Sequence, residues 1–205
     1  MRTVIFATGN EGKLREVKQI LDGLDLNIIS SKEAGFTTEV EETGVTYEEN
    51  AEIKANAVAE LAHADEKYKD AVVMADDSGF EVDYLAKRPG VYSARFLGVD
   101  TPYTIKNQHI LDEMKGVPDK YRSARFVAAI ACVFPDGQKK TVRATYEGIV
   151  AHEAKGSNGF GYDPILYLPD RGCTSSELEP EEKNRISHRA KALMMVKEEL
   201  EKAFI

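Results

Sequence analysis

The sequence predicts an α/β protein, a mixed β-sheet flanked by helices, and three observations carry that expectation. Apolar runs of strand length stand early in the chain, at Thr3 to Ala7, and again in "AVVMADDSGFEV". Segments with helical spacing separate such runs. Two long strand-like runs, "RSARFVAAIACVF" and "KKTVRATYEGIV", flank Pro135-Asp136-Gly137, a strong hairpin signal. Strands early and late, with an antiparallel hairpin among helices, make a mixed sheet with helices on its faces.

Taken in order, the first strand runs over Thr3 to Ala7. A helix follows over Glu11 to Leu21, with Leu14, Val17 and Leu21 on one face. "LNIIS" is a short strand. Lys32 to Val45 reads as a loop carrying the acidic stretch "EVEETG". Thr46-Tyr47-Glu48-Glu49 is a capping box, so a helix starts there, with Ala51, Ala55, Val58, Ala59 and Ala62 as its apolar stripe. Asn50 and Lys54 lie one turn apart on another face of it. "AVVMADDSGFEV" reads as a strand that stops at its two aspartates in a turn. Pro102 to Met114 is helical. "GSNGFGYDPILYLP" is a glycine-rich turn entering a short strand, and the last helix aligns Leu193, Val196, Leu200 and Phe204.

Composition narrows the function. Of 205 residues, 27 are Lys or Arg and 35 are Asp or Glu, a net charge of −8. That balance argues against a nucleic-acid binder, which needs a basic surface to displace phosphate counterions. It leaves room for a small anion in a locally basic pocket. No run of eighteen apolar residues exists to span a membrane, and no signal peptide is visible, so a cytoplasmic protein is expected. Cys132 and Cys173 form neither a disulfide framework nor a zinc motif.

Five stretches could carry chemistry. After the first strand, Thr8, Gly9, Asn10, Glu11, Gly12 and Lys13 make a glycine turn with a lysine at a helix start, where amides and the helix dipole favour an anion. A plain turn with a solvated lysine has the same pattern. It is not the usual phosphate loop, because Leu14 stands where that loop has a hydroxyl for magnesium. In "ADDSG", Asp76 and Asp77 repel each other unless a cation relieves them, and magnesium suits a few carboxylates plus phosphate. One of them could also take a proton from water. Glu41 is a candidate further ligand, although Glu41 and Glu42 together could equally be a solvated acidic loop. Phe160, Gly161, Tyr162 and Asp163 form a turn on which an aromatic ring could stack on a base or pack in the core. Lys183, His188 and Arg189 could read carbonyls or phosphate, or form a solvated basic face.

The whole set, in order, resembles the inosine triphosphate pyrophosphatase family, which removes non-standard purine nucleotides. The likeness covers nearly the full chain, through "TGNEGK", "EETG", "ENAEIKA", "DDSG", "PGVYSAR", "GFGYDP" and "EEKNRISHRAKA". It implies a single 1–205 domain with an elongated mixed sheet, two lobes with a substrate cleft, and a homodimer. It implies Mg2+-dependent hydrolysis of ITP, dITP and XTP to monophosphate and pyrophosphate. By the same resemblance, Thr8 to Lys13 and Lys54 hold the triphosphate, and Ser78 touches the substrate. Glu41, Asp77 and Asp76 serve the metal, Asp77 also being the proton acceptor. Phe160 to Asp163, Lys183, His188 and Arg189 surround the base. Rival readings are the same chemistry on modified pyrimidine nucleotides, and a nucleotide sensor without turnover.

Overall fold

The computed structural model describes residues 2–37 and 40–203; Phe204, expected on the stripe of the last helix, lies outside the described residues. The elements are β1 (Arg2–Phe6), α1 (Glu11–Ile20), β2 (Leu26–Ser30), α2 (Tyr47–Ala64), β3 (Val72–Val82), β4 (Pro89–Gly90) and α3 (Tyr103–Glu113). After these come β5 (Ser123–Val133), β6 (Lys139–Val150), β7 (Leu166–Leu168), β8 (Cys173–Thr174), α4 (Pro180–Ile186) and α5 (His188–Ala203). Among the described residues the sheet has eight strands in the order β2-β1-β3-β5-β6-β7-β8, with β4 paired to β3. β1 runs parallel to β2 and β3, whereas β4, β7 and β8 join antiparallel, so the sheet is mixed as expected.

The chain forms two compact units. The first comprises 1–77, 128–144 and 189–205; the second comprises 78–127 and 145–188.

In the first unit the period of the strands decides everything. Side chains alternate faces along a strand. Val4, Phe6, Val72, Met74, Ala128, Ile130 and Cys132 share one core with Val17 of α1, Leu21 just after it, and Leu193, Val196 and Leu200 of α5. Each Val, Leu, Ile, Phe or Met among them contributes about 1.5–3 kcal/mol on burial. The alternate residues Ile5, Val73, Ala75 and Ala129 are buried as well. A sheet covered on both faces needs near-continuous apolar runs, and these strands have them. Thr46 caps α2 by accepting from Glu49 N at 3.1 Å, while the Glu49 carboxylate accepts from Thr46 N, the reciprocal box its sequence predicts. The turn after β5 is closed by Phe134 N donating to Gln138 O and Gly137 N donating to Phe134 O, as Pro135-Asp136-Gly137 predicts.

One expectation is corrected. β3 does not stop at the aspartates; it runs through Asp76, Asp77, Ser78 and Gly79 to Val82. Carboxylates are tolerated inside a buried strand because cations from elsewhere in the chain meet them, as described below.

In the second unit, Phe80, Val82, Phe126, Tyr146 and Tyr162 pack with Ile110 of α3 and with Met114 just after it. The Phe80 and Tyr162 rings stack at 5.1 Å. Arg122 is buried and donates to four backbone carbonyls: Val150 at 2.7 Å, Met114 at 2.6 Å, Ala151 at 2.7 Å and Val117 at 3.3 Å.

Candidate functional site

The parallel pairing of β1 with β3 sets the first cluster. Phe6 pairs with Met74 and Ala7 N donates to Met74 O, so the turn after β1 comes level with Asp76. Asn10 caps α1, its side chain accepting from Lys13 N at 3.1 Å, and Thr8 Oγ1 accepts from Asn10 N at 3.1 Å. Gly9, Asn10 and Glu11 are exposed and Thr8, Gly12 and Lys13 half-buried. The first turn of α1 thus carries Lys13 to Asp76.

The strand period then separates the two aspartates. Asp76 shares the face of Val72 and Met74, where α1 and α5 lie. Its Oδ1 accepts from Lys13 Nζ and its Oδ2 from Arg189 Nε at 3.1 Å. Arg189 is buried at the start of α5 and also bonds Glu16 of α1. Burial alone would raise the Asp76 carboxyl, but Arg189 and Lys13 outweigh it and hold it far below the usual range. Burial would lower the Arg189 guanidinium, and Asp76 with Glu16 reverse that, so Arg189 stays charged. Burial also lowers the Lys13 ammonium, aided by Arg189 and Lys54; Asp76 pulls it back only in part.

Asp77 faces α2 instead. Its Oδ1 accepts from Lys54 Nζ at 3.2 Å and its Oδ2 from Asn50 Nδ2 at 3.4 Å. Lys54 also donates to Glu42 Oε1 at 2.7 Å, so one ammonium joins two carboxylates. Burial pushes the Asp77 carboxyl up; Lys54 and Lys13 pull it down, Glu42 and Asp76 push it further, and the result lies above the usual value. For Lys54, burial lowers the ammonium, but Asp77 and Glu42 overcome this and raise it. Asp77 therefore sits where its negative charge is incompletely compensated.

Among the described residues, no three His, Cys, Asp or Glu side chains stand together to encage a metal ion. Magnesium does not require such a cage: it takes one or two carboxylates, keeps waters and draws on substrate phosphate. Asp77, whose carboxylate already faces the Lys54 ammonium, fits that habit. Asp76 has both oxygens engaged by Lys13 and Arg189. Glu41 is exposed, and of the two adjacent glutamates it is Glu42 that turns towards Lys54.

The second unit holds the aromatic turn. Asp163 is buried, with Oδ1 accepting from Ser175 Oγ at 2.8 Å and Oδ2 from Lys183 Nζ at 2.7 Å and Phe160 N at 2.9 Å. Gly159 is required there: its φ is +76°, and a Cβ would lie 2.2 Å from Asp163 Oδ2. Gly161 O accepts from Asn107 Nδ2 at 3.1 Å. Tyr162 is buried and donates to Ser93 O at 2.8 Å, while Phe160 is 36% exposed under the Lys183 ammonium, 5.2 Å from its ring centre. His188 is buried with its ring stacked on Phe126 at 4.9 Å. Ser78 is half-buried in β3.

The structure thus brings Lys13, Asp76 and Arg189 together, and Lys54, Asp77 and Glu42 together. It gathers Phe160, Asp163 and Lys183 separately in the second unit. His188 and Arg189, adjacent in sequence, engage different neighbours. Lys183 and His188 stand inside α4 and α5 rather than before the last helix. Glu16 was missed by sequence reasoning, although its place one turn after Lys13 on α1 was a readable signal. Asn50 was placed on a face but given no task.

Fold and geometry together define an α/β protein that gathers lysines, an arginine and carboxylates near the end of a parallel strand pair, as phosphate-handling α/β proteins do. The chain belongs to the Ham1 family, whose sequence profile matches residues 4–199. It is 44% identical to a dITP/XTP pyrophosphatase of Bacillus licheniformis, over 99% of this chain and 100% of that protein. With the Bacillus subtilis protein of the same name it shares 45% identity, over 98% of each. Its fold matches the Ham1 protein of Staphylococcus aureus with a TM-score of 0.84 at 36% identity, over 98% of this chain and 99% of that one. The Ham1 protein of Coxiella burnetii matches equally, with a TM-score of 0.84 at 36% identity, over 98% and 100%.

Proposed function

We propose that this chain is a nucleoside-triphosphate pyrophosphatase that converts ITP, dITP and XTP to the monophosphate and pyrophosphate, with magnesium as cofactor. The full-length likeness to proteins named dITP/XTP pyrophosphatase supports the activity and the substrate class. The observation that carries the chemistry is Asp77, a buried carboxyl with a raised pKa beside Lys54 and Glu42.

Asp77 and Glu41, with Asp76 beside them, would hold the magnesium ion, which when bound supplies Lewis acidity and neutralises phosphate charge. Asp77 is placed to accept a proton from the water that attacks the α-phosphorus. Lys54 and Lys13 meet the negative charge that grows on the leaving pyrophosphate. The amides of Gly9 to Gly12 at the start of α1 favour phosphate oxygens. Asp76, itself fixed by Arg189, holds Lys13 in place.

Phe160 offers a partly exposed ring for stacking on the base, with Lys183 and His188 as donors for the 6-keto oxygen of hypoxanthine or xanthine. Adenine presents an amino donor there and would leave those donors unpaired, which supports strong discrimination. A homodimer in the cytoplasm is part of the same reading; among the described residues no helix is long and apolar enough to cross a membrane.

The test is pyrophosphate release from ITP, dITP, XTP, GTP, ATP and dUTP, with and without magnesium. Fast release from the first three alone, abolished by chelation, is expected. Preference for dUTP would move the substrate class to pyrimidines, and tight binding without turnover would make the chain a sensor.

A further inference from the structure

Asn50 is buried in the first full turn of α2, and both ends of its amide are used. Its Oδ1 accepts from Gly44 N at 2.8 Å, and its Nδ2 donates to Asp77 Oδ2 at 3.4 Å. The orientation of the amide follows from its partners: a backbone N–H can only donate, so the oxygen faces Gly44 and the nitrogen faces the carboxylate. One turn later on the same helix face, Lys54 donates to Asp77 Oδ1 and to Glu42, two residues before Gly44. The contacts close into a ring: Asn50, Gly44, the loop back to Glu42, Lys54, Asp77 and Asn50 again.

Three features show that this ring is built to a tolerance. The Glu49 carboxylate accepts from Val45 N at 2.7 Å and Thr46 N at 3.2 Å, tying the loop to α2 just before Asn50. At Gly44 a Cβ would stand 2.7 Å from Asn50 Oδ1, 2.7 Å from Glu49 Cβ and 2.9 Å from Asn50 N, so only glycine lets the loop come this close. The two oxygens of Asp77 are divided, one to the amide and one to the ammonium, which fixes the rotation of the carboxylate.

We infer that Asn50 is a positioning residue: it sets the orientation of Asp77 and holds the loop of residues 41–44 against it, and so the affinity of the site for a divalent ion. The inference rests on the reading of Asp77 as a ligand of that ion. Groups that orient metal ligands typically account for about 10–100-fold in metal affinity or activity.

The experiment measures Mn2+ binding by electron paramagnetic resonance in the absence of nucleotide, alongside kcat and KM for ITP. Asn50→Ala should weaken Mn2+ binding about tenfold or more and lower kcat, with KM changing less. Gly44→Ala disturbs the same ring from the loop side with Asn50 intact, and should weaken Mn2+ binding about threefold or more. Ala59→Gly, further along α2, is the control: it lowers the melting temperature and leaves Mn2+ affinity unchanged. Should Asn50→Ala fail to fold, Gly44→Ala decides alone. Wild-type Mn2+ affinity in the folded variants would overturn the inference, as would a wild-type protein that binds no Mn2+. Failure of the wild type to hydrolyse any triphosphate, with Mn2+ binding shifted as stated, would overturn the proposed reaction and leave the role of Asn50 standing.

Discussion

The two faces of β3 treat neighbouring aspartates in opposite ways. On one face Asp76 is enclosed by Lys13, Arg189 and, through the arginine, Glu16, and its charge is fully met. On the other, Asp77 has one lysine and one amide for partners, and it shares that lysine with Glu42. The first arrangement disfavours protonation of its carboxylate; the second favours it. Adjacent residues of the same type acquire opposite electrostatic surroundings because a strand sends them to different helices.

The widest separation is expected in turnover. Asp77→Asn should lower kcat for ITP by about 10²–10⁴-fold while nucleotide binding persists, measured by single-turnover hydrolysis and equilibrium titration. Near-normal rates would remove Asp77 from the chemistry. Next comes stability. Asp76→Asn leaves Arg189 and Lys13 short of a buried counter-charge and should cost about 3–5 kcal/mol in urea denaturation. Asp77→Asn should leave stability within about 1 kcal/mol of wild type or raise it. Equal stability losses in the two variants would erase the distinction.

The smallest effect is the slope of stability against pH, read without divalent ions. The folded pKa of Asp76 is depressed, so its contribution is present above the ordinary value of 3.8 and is lost as pH falls below it. The folded pKa of Asp77 is raised from 3.8, so its ionisation opposes folding as pH rises through that window. Asp76→Asn should therefore flatten the acid limb of the stability curve. Asp77→Asn should gain on wild type as pH climbs above 4. Identical limbs in the two variants would contradict the opposite signs.

What could be read from the sequence was local. The capping box at Thr46, the strand "LNIIS" and the hairpin at Pro135 each depend on residues a few positions apart, and each is where the pattern places it. The passage of β3 through its aspartates was hidden, because its justification comes from Lys13 and Arg189, far away in the chain. The choice of Glu42 over Glu41 at Lys54 was also hidden: adjacent carboxylates differ only in which way the loop turns. β4 and β8 are two-residue strands made by pairing, with no periodicity to announce them. Glu16 was within reach, since helical spacing alone sets it beside Lys13.

Arg122 has a consequence of its own. Its hydrogen bonds go to backbone carbonyls, and its flat, five-donor head fits carbonyls from just past α3 and from the end of β6 at once. Lysine, with a compact tetrahedral head, cannot reproduce that planar stitch. The corner it fastens is therefore a joint whose angle is set by the shape of a single ion.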